Sequence, residues 1–83
     1  LGQIVATPHV LKIVPEEEIF AALLRHQNCD WGDVCPQDKW ANDRAVKGGE
    51  RLLSVYHSKD GVKFWIITEW DRSATTVLLP EDY

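Results

Sequence analysis

The chain could bring an imidazole close to carboxylates in two polar segments. In the first segment His26 is followed by Asp30 and Asp33. The second segment contains Glu69, Asp71 and Arg72. A carboxylate that orients a histidine is the minimum for general base catalysis. Turn formation and helix capping explain the same residues more simply, because aspartate favours turns and a histidine suits a helix C-terminus. We therefore assign no catalytic residue.

A metal site is the second chemical possibility, since His26, Cys29 and Cys35 offer soft ligands. Zinc sites usually place their cysteines about two to four residues apart and add a second ligand pair. Here five residues separate the two cysteines, and no second pair follows. We predict no metal and no cofactor, and we expect both cysteines to be reduced thiols.

Charge and hydropathy exclude further classes of protein. The formal net charge is −4 and no run of lysine or arginine occurs, so nucleic-acid binding is not expected. The sharpest charge run, Glu16-Glu17-Glu18, suits the first turn of a helix. Neither a signal-peptide pattern nor an apolar run of about 18 residues is present. We expect one cytoplasmic domain covering residues 1–83.

Local signals predict the elements that would position these residues. Residues 2–7 favour a strand, whereas residues 10–14 fit either an extra turn or an extension of that strand. Helices are predicted over residues 15–26 and 36–47, each opened by a proline. The second of them should end at Gly48-Gly49, with a glycine in the left-handed conformation.

Apolar spacing predicts which side of each helix faces the core. For the first helix the predicted inward residues are Ile19, Phe20, Leu23 and Leu24. For the second they are Trp40, Ala41, Ala45 and Val46.

The second half of the chain predicts three strands. Asp60-Gly61 indicates a two-residue hairpin turn, and a second turn near residues 70–73 completes an antiparallel meander. This register puts Leu53, Val55, Phe64, Ile66, Val77 and Leu79 on one face, and Leu52, Tyr56, Trp65, Ile67 and Leu78 on the other. Both faces are then apolar, so a helix, a second subunit or a partner should cover the second face. The predicted fold is α+β, with two helices before the meander and the N-terminal strand at one edge.

Several segments resemble a family of short bacterial proteins carried on plasmids, phages and integrated elements. The similar segments are Cys29-Asp30-Trp31-Gly32-Asp33 and residues 41–43, 49–56 and 65–83, of which the last has the pattern WIITE-x-DRS-x-TT-x-LLP. The resemblance covers most of the chain from His26 onward. It implies a mobile genetic element as the setting, and it implies no particular activity. Small proteins of such elements often act by blocking host defence machinery.

These observations predict a non-enzymatic protein-binding module. It would inhibit a host defence system, of the anti-restriction or anti-CRISPR type, through an acidic surface with an aromatic anchor. The partner is either a host defence component or a second subunit in a homodimer. The predicted contact residues are Trp70, Glu69, Asp71, Arg72, Trp31 and Asp33.

Two alternatives belong to other functional classes. The outline of helices followed by an antiparallel sheet is similar to the RelE and BrnT families of ribonuclease toxins. In that case Arg51, His57 and Arg72 would act on RNA, with a histidine or Glu69 as the base. Those families are basic, whereas this chain is acidic. The second alternative is a DNA mimic, in which carboxylates imitate phosphate spacing, although four excess negative charges are few for this role.

Overall fold

The computed structural model describes residues 2–83. Over this range the chain forms three α-helices and a four-stranded sheet, which confirms the α+β class. The elements are β1 (Gln3–Ala6), α1 (Pro8–Ile13), α2 (Glu16–Gln27), α3 (Pro36–Gly48), β2 (Leu52–His57), β3 (Lys63–Thr68) and β4 (Ala74–Leu78). A short 3-10 turn, Pro80–Asp82, follows β4. None of the helices in this part of the chain is long and apolar enough to cross a membrane.

The helix boundaries follow the local signals. Both ends of α2 and α3 lie within one residue of the predicted positions, and Gly49 takes the left-handed conformation with φ of 74°. The segment that the sequence left open is the helix α1. Thr7 begins it, because its side-chain oxygen accepts a hydrogen bond from the Val10 backbone nitrogen at 3.3 Å. Pro8 occupies the first turn, where its missing N–H costs nothing.

The strands lie in the order β1-β4-β3-β2. The predicted meander forms the antiparallel pairs β2–β3 and β3–β4. It is part of a larger mixed sheet, however, because β1 adds to β4 in the parallel direction. The N-terminal strand therefore does lie at an edge of the sheet, beside the last strand of the chain.

The predicted hairpin register is wrong by one residue. Ser58 faces Val62, since the Ser58 nitrogen donates to the Val62 carbonyl at 2.9 Å, and the loop between them has three residues. Gly61, at φ of 81°, supplies the left-handed position that such a loop requires. Val55 consequently lies opposite Trp65, and Tyr56 opposite Phe64.

This register changes the composition of both faces of the sheet. The face against the helices holds Leu52, Ser54, Tyr56, Phe64, Ile66, Thr68, Thr75 and Val77. The opposite face holds Leu53, Val55, Trp65, Ile67, Thr76 and Leu78. Trp65 and Leu78 share this face as predicted, and they lie directly opposite each other in β3 and β4.

The second face of the sheet is largely covered within the chain itself. Val55, Ile67 and Leu78 are buried. The C-terminal turn contacts β3, and the Tyr83 ring packs edge-on against Trp65 with the ring centres 5.7 Å apart. The sequence left a helix, a second subunit or a partner as the cover of this face, and the structure shows that the C-terminal turn of the chain itself supplies part of it.

The inward faces of the helices also differ from the prediction. The α2 residues that pack inward are Ile19, Ala22, Leu23 and His26, whereas Phe20 and Leu24 are exposed. In α3 only Asn42 and Ala45 are buried, and Trp40 lies outside against the Arg44 guanidinium. In both helices, the face that packs against the sheet is therefore different from the face that carries the largest apolar side chains.

Candidate functional site

Part of the predicted contact surface lies where the sequence placed it, in the turn between β3 and β4. The Trp70 side chain is 67% exposed, and Asp71 beside it is exposed as well. The Asp71 carboxylate accepts a hydrogen bond from the Ser73 nitrogen at 3.0 Å. Hydrogen bonds from Ser73 hold the pKa of the Asp71 carboxyl below its ordinary value. Trp70 is thus available as an anchor, and Asp71 orders the turn that presents it.

Arg72 in the same turn is engaged with the chain's own backbone. Its guanidinium donates to the carbonyl oxygens of Glu50 at 2.6 Å, Ala45 at 2.8 Å and Glu69 at 3.2 Å. Ala45 belongs to the last turns of α3, where a cation is favoured by the helix dipole. Arg72 therefore fixes the end of α3 to the turn, and its donors face inward instead of toward a partner.

Trp31 must be removed from the predicted contact surface, because only 3% of it is exposed. Its indole nitrogen donates to the Asp43 carboxylate at 2.9 Å, and its backbone oxygen accepts from the Val55 nitrogen at 3.0 Å. Trp31 joins a small core with Ala45 and Leu52 under α3. Its role in the structure is to pack α3 and the preceding loop against the sheet.

Asp33 lies at the other end of the sheet from Trp70. Its carboxylate contacts the His57 ring at 2.7 Å, where β2 ends, whereas Trp70 lies two residues beyond the end of β3. Strands of six residues separate these two ends by about 17–20 Å. The six predicted residues therefore do not form one surface.

The catalytic hypothesis is replaced by a buried hydrogen-bond network. His26 is 2% exposed, and its ring nitrogens lie 2.6 Å from the Ser54 hydroxyl and 2.8 Å from the Thr68 hydroxyl. Thr68 in turn lies 2.9 Å from the Thr75 hydroxyl. The nearby carboxylate, Asp30, pairs with Arg25 at 2.7 Å instead.

Burial also sets the protonation state of His26. Removal from water, reinforced by the positive charge of Arg72, lowers the pKa of the His26 imidazole from 6.5 to about 4. The ring is thus neutral at neutral pH and bonded at both nitrogens. A serine beside a histidine suggests an activated nucleophile, but Ser54 is fully buried. The network holds α2 to the sheet, and a substrate has no access to it.

The residues proposed for a metal site and for a ribonuclease site are not brought together either. Cys29 and Cys35 are exposed free thiols, and both nitrogens of His26 already have partners. Within residues 2–83, no three His, Cys, Asp or Glu side chains are grouped closely enough to hold a metal ion. Arg51 and His57, which the ribonuclease hypothesis needs together, lie at opposite ends of β2, because Arg51 precedes its first residue and His57 is its last.

The surface that stands out lies on the helices. Phe20 is 66% exposed and Leu24, one turn further along α2, is 51% exposed. The exposed Leu11 of α1 lies across a shallow cavity of about 540 Å³ from Phe20. Two carboxylates, Glu16 and Glu17, line the same cavity. We call these five residues the α2 surface.

The apolar pattern of the sequence places Phe20 and Leu24 in the core and therefore does not predict the α2 surface. A signal for the correct stripe does exist. Ile19, Ala22, Leu23 and His26 follow the spacing i, i+3, i+4, i+7, which defines one helix face. At about 100° per residue, Phe20 and Leu24 lie about 100–140° away from Ile19 on the helix. If small and polar residues such as Ala22 and His26 are accepted as members of the buried stripe, the same pattern predicts that Phe20 and Leu24 lie outside it.

The comparisons add no relative to this description: no family model matches the chain, and neither a curated protein nor a solved structure was found to be significantly similar to it.

Proposed function

We propose that this chain is a protein-binding module whose contact site is the α2 surface. The observation that carries the proposal is the exposure of Phe20 and Leu24 on a helix whose opposite side is buried in the core. Helix propensity does not need large apolar residues at exposed positions, because polar residues form helices equally well. An apolar group beside a cavity, with a polar rim, is typical of an interaction site.

The size of the exposed side chains supports an anchoring role. Fully burying a Phe or Leu side chain stabilises a complex by about 1.5–3 kcal/mol. Phe20 and Leu24 retain more than half of their exposure, so each can contribute about 1 kcal/mol or more on binding. Leu11 adds a third apolar contact across the cavity. A few such anchors dominate the energy of most interfaces.

The charges around the cavity support a basic partner. Glu16 and Glu17 line the cavity, and no basic side chain among residues 2–83 does so. The nearest cation along α2, Arg25, is engaged elsewhere, because it pairs with Asp30 and lies over the Tyr56 ring. We propose that the partner is an amphipathic helix with apolar residues flanked by lysine or arginine. Opposite charges would speed its encounter with the α2 surface.

The biological setting belongs to the same proposal. The resemblance of the chain from His26 onward to plasmid- and phage-borne proteins supports a mobile genetic element as its source. We propose that the module acts in the bacterial cytoplasm and inhibits a host defence protein that carries such a basic helix.

The binding site can be tested with a synthetic amphipathic peptide that carries leucine on one face and lysine on the other. We expect NMR shifts on titration to centre on Leu11, Phe20 and Leu24. Phe20→Ser combined with Leu24→Ser should weaken binding at least tenfold, or about 1.4 kcal/mol. Trp70→Ser is the matched control, since it removes an equally exposed aromatic ring at a distant site. Shifts confined to Trp70, or equal loss in the control, would refute the α2 surface.

The defence role needs a separate experiment in cells. Phage plating is measured on strains with an active restriction or CRISPR system, with and without the expressed chain. We expect the wild-type chain to raise plating efficiency and the Phe20→Ser, Leu24→Ser variant to lose that effect. If the wild-type chain leaves plating efficiency unchanged on every strain while the peptide still binds, the defence role is refuted and the proposed binding site is not.

A further inference from the structure

The two edges of the sheet differ in whether their outward backbone groups have hydrogen-bond partners. At the β2 edge, the Asn42 side chain accepts from the Leu53 nitrogen at 3.1 Å and donates to the Leu53 carbonyl at 2.6 Å. The next outward pair belongs to Val55, whose nitrogen donates to Trp31 and whose oxygen accepts from Asp33. An asparagine side chain and a loop thus replace a neighbouring strand along this edge.

The β1 edge has no such cover. The Gln3 and Thr7 nitrogens donate inward to Ser73 and Val77 of the β4 side, both at 3.0 Å. Because backbone groups alternate in direction along a strand, the N–H and C=O groups of Ile4 and Ala6 point outward. Within residues 2–83, β1 pairs only with β4. The outward groups are therefore available to another strand.

The side chains of β1 also favour pairing with a further strand. Ile4 is 52% exposed and Val5 is 43% exposed, on opposite faces of the strand. Natural edge strands are usually protected by lysine, proline, a bulge or a covering segment. The four residues of β1, Gln-Ile-Val-Ala, contain no charge and no proline. This strand has the features of a pairing edge and lacks those that prevent pairing.

We propose that β1 pairs antiparallel with β1 of a second copy of this chain, which joins two sheets into one of eight strands. The register follows from the backbone directions. Ile4 and Ala6 point outward on either side of Val5, so a two-fold axis at Val5 places Ile4 of each copy opposite Ala6 of the other. Four backbone hydrogen bonds form, and the two Val5 side chains meet on one face.

A second copy is complementary to this edge, because a two-fold axis pairs the outward residues of one β1 with those of the other. The same two outward residues on each side use all the available donors and acceptors, and no charge on β1 opposes the pairing. Because a stable interface buries about 1,200–2,000 Å², a contact of two four-residue strands gives a weak dimer. We expect it to form between about 10 μM and 1 mM chain, the range of transient contacts.

The test measures mass by sedimentation equilibrium between 1 μM and 1 mM and uses Ile4→Pro. Proline removes the outward Ile4 N–H, which β4 does not use, so the fold should persist by circular dichroism while dimer affinity falls at least tenfold. Phe20→Ser is the matched control and should leave the dimer unchanged. A monomer at every concentration, or a dimer that depends on Phe20 and not on Ile4, would overturn the proposal and would leave the α2 surface as a separate question.

A charge-swap pair tests the register. Val5→Lys and Val5→Glu each place like charges across the two-fold axis and should weaken the homodimer. Mixed together, the two variants should associate at least tenfold more tightly than either alone. Equal association in the mixture and in the separate variants would show that residue 5 does not face residue 5, which would refute the proposed pairing.

Discussion

The buried His26 makes the stability of this fold depend on pH in a calculable way. In the unfolded chain the imidazole has a pKa of 6.5, and in the folded chain burial lowers that pKa to about 4. Between these values the unfolded state binds a proton that the folded state does not. The stabilising contribution is therefore complete above pH 6.5 and is lost as the pH falls toward 4.

The magnitude follows from the same two pKa values. Each tenfold change in proton affinity corresponds to about 1.4 kcal/mol, so lowering the pKa from 6.5 to about 4 gives about 3 kcal/mol. His26→Gln removes the titrating group and keeps an amide that can hydrogen-bond to Ser54 or Thr68. We expect the wild-type free energy of unfolding to fall by about 3 kcal/mol more than that of His26→Gln between about pH 7 and pH 4.

Urea denaturation at a series of pH values measures this difference, because carboxylates that titrate in both proteins cancel in the comparison. NMR titration of the imidazole provides a direct check: the His26 resonance should stay unchanged from pH 8 to pH 5. Equal pH dependence in the two proteins, or a His26 resonance that titrates near 6.5, would refute the reasoning. Either result would mean that water reaches the ring and that the contacts with Ser54 and Thr68 are not maintained.

Three further substitutions test the contacts that hold α3 and the loops in place. Asn42→Ala leaves two edge backbone groups unpaired and should lower the free energy of unfolding by about 1–3 kcal/mol in denaturation experiments, whereas exposed Asn28→Ala should change it much less. Gly32→Ala combines φ of 73° with a Cβ that would overlap the Val55 carbonyl oxygen, so we expect a clear fall in melting temperature. Arg72→Gln removes the charged donors at the end of α3 and should cost about 2 kcal/mol by the same measurement, and an unchanged stability would contradict the assigned contacts.

Sequence reasoning succeeded where short-range chemistry decides the structure. Helix starts at prolines, the glycine that ends α3 and the approximate extent of three strands all depend on residues close together in the chain. The loop between β2 and β3 shows where local signals fail to predict the structure. Asp60-Gly61 fits a two-residue turn, but the Val62 nitrogen donates to the Ser58 hydroxyl and the loop takes three residues. One extra loop residue changed every predicted pair between β2 and β3.

The candidate sites depended even more on distant contacts. Trp31 looks like a surface anchor in its polar loop, yet α3 and β2 enclose it. His26 looks like a catalytic residue beside Asp30, yet two strands provide its partners. Sequence spacing cannot identify these partners, because they lie 28 and 42 residues away along the chain.

The α+β class, the helix ends and the acidic charge without a basic run can be predicted from the sequence, since composition and neighbouring residues decide these properties. Which residues are exposed depends on tertiary packing. Phe20 and Leu24 are exposed because Ala22 and His26 occupy the side of α2 that packs inward. The loop before α3 covers the β2 edge, at the far side of the sheet from β1, and it therefore leaves the β1 edge open. The physical reason is that exposure depends on what packs against each residue, and those neighbours come from distant parts of the chain.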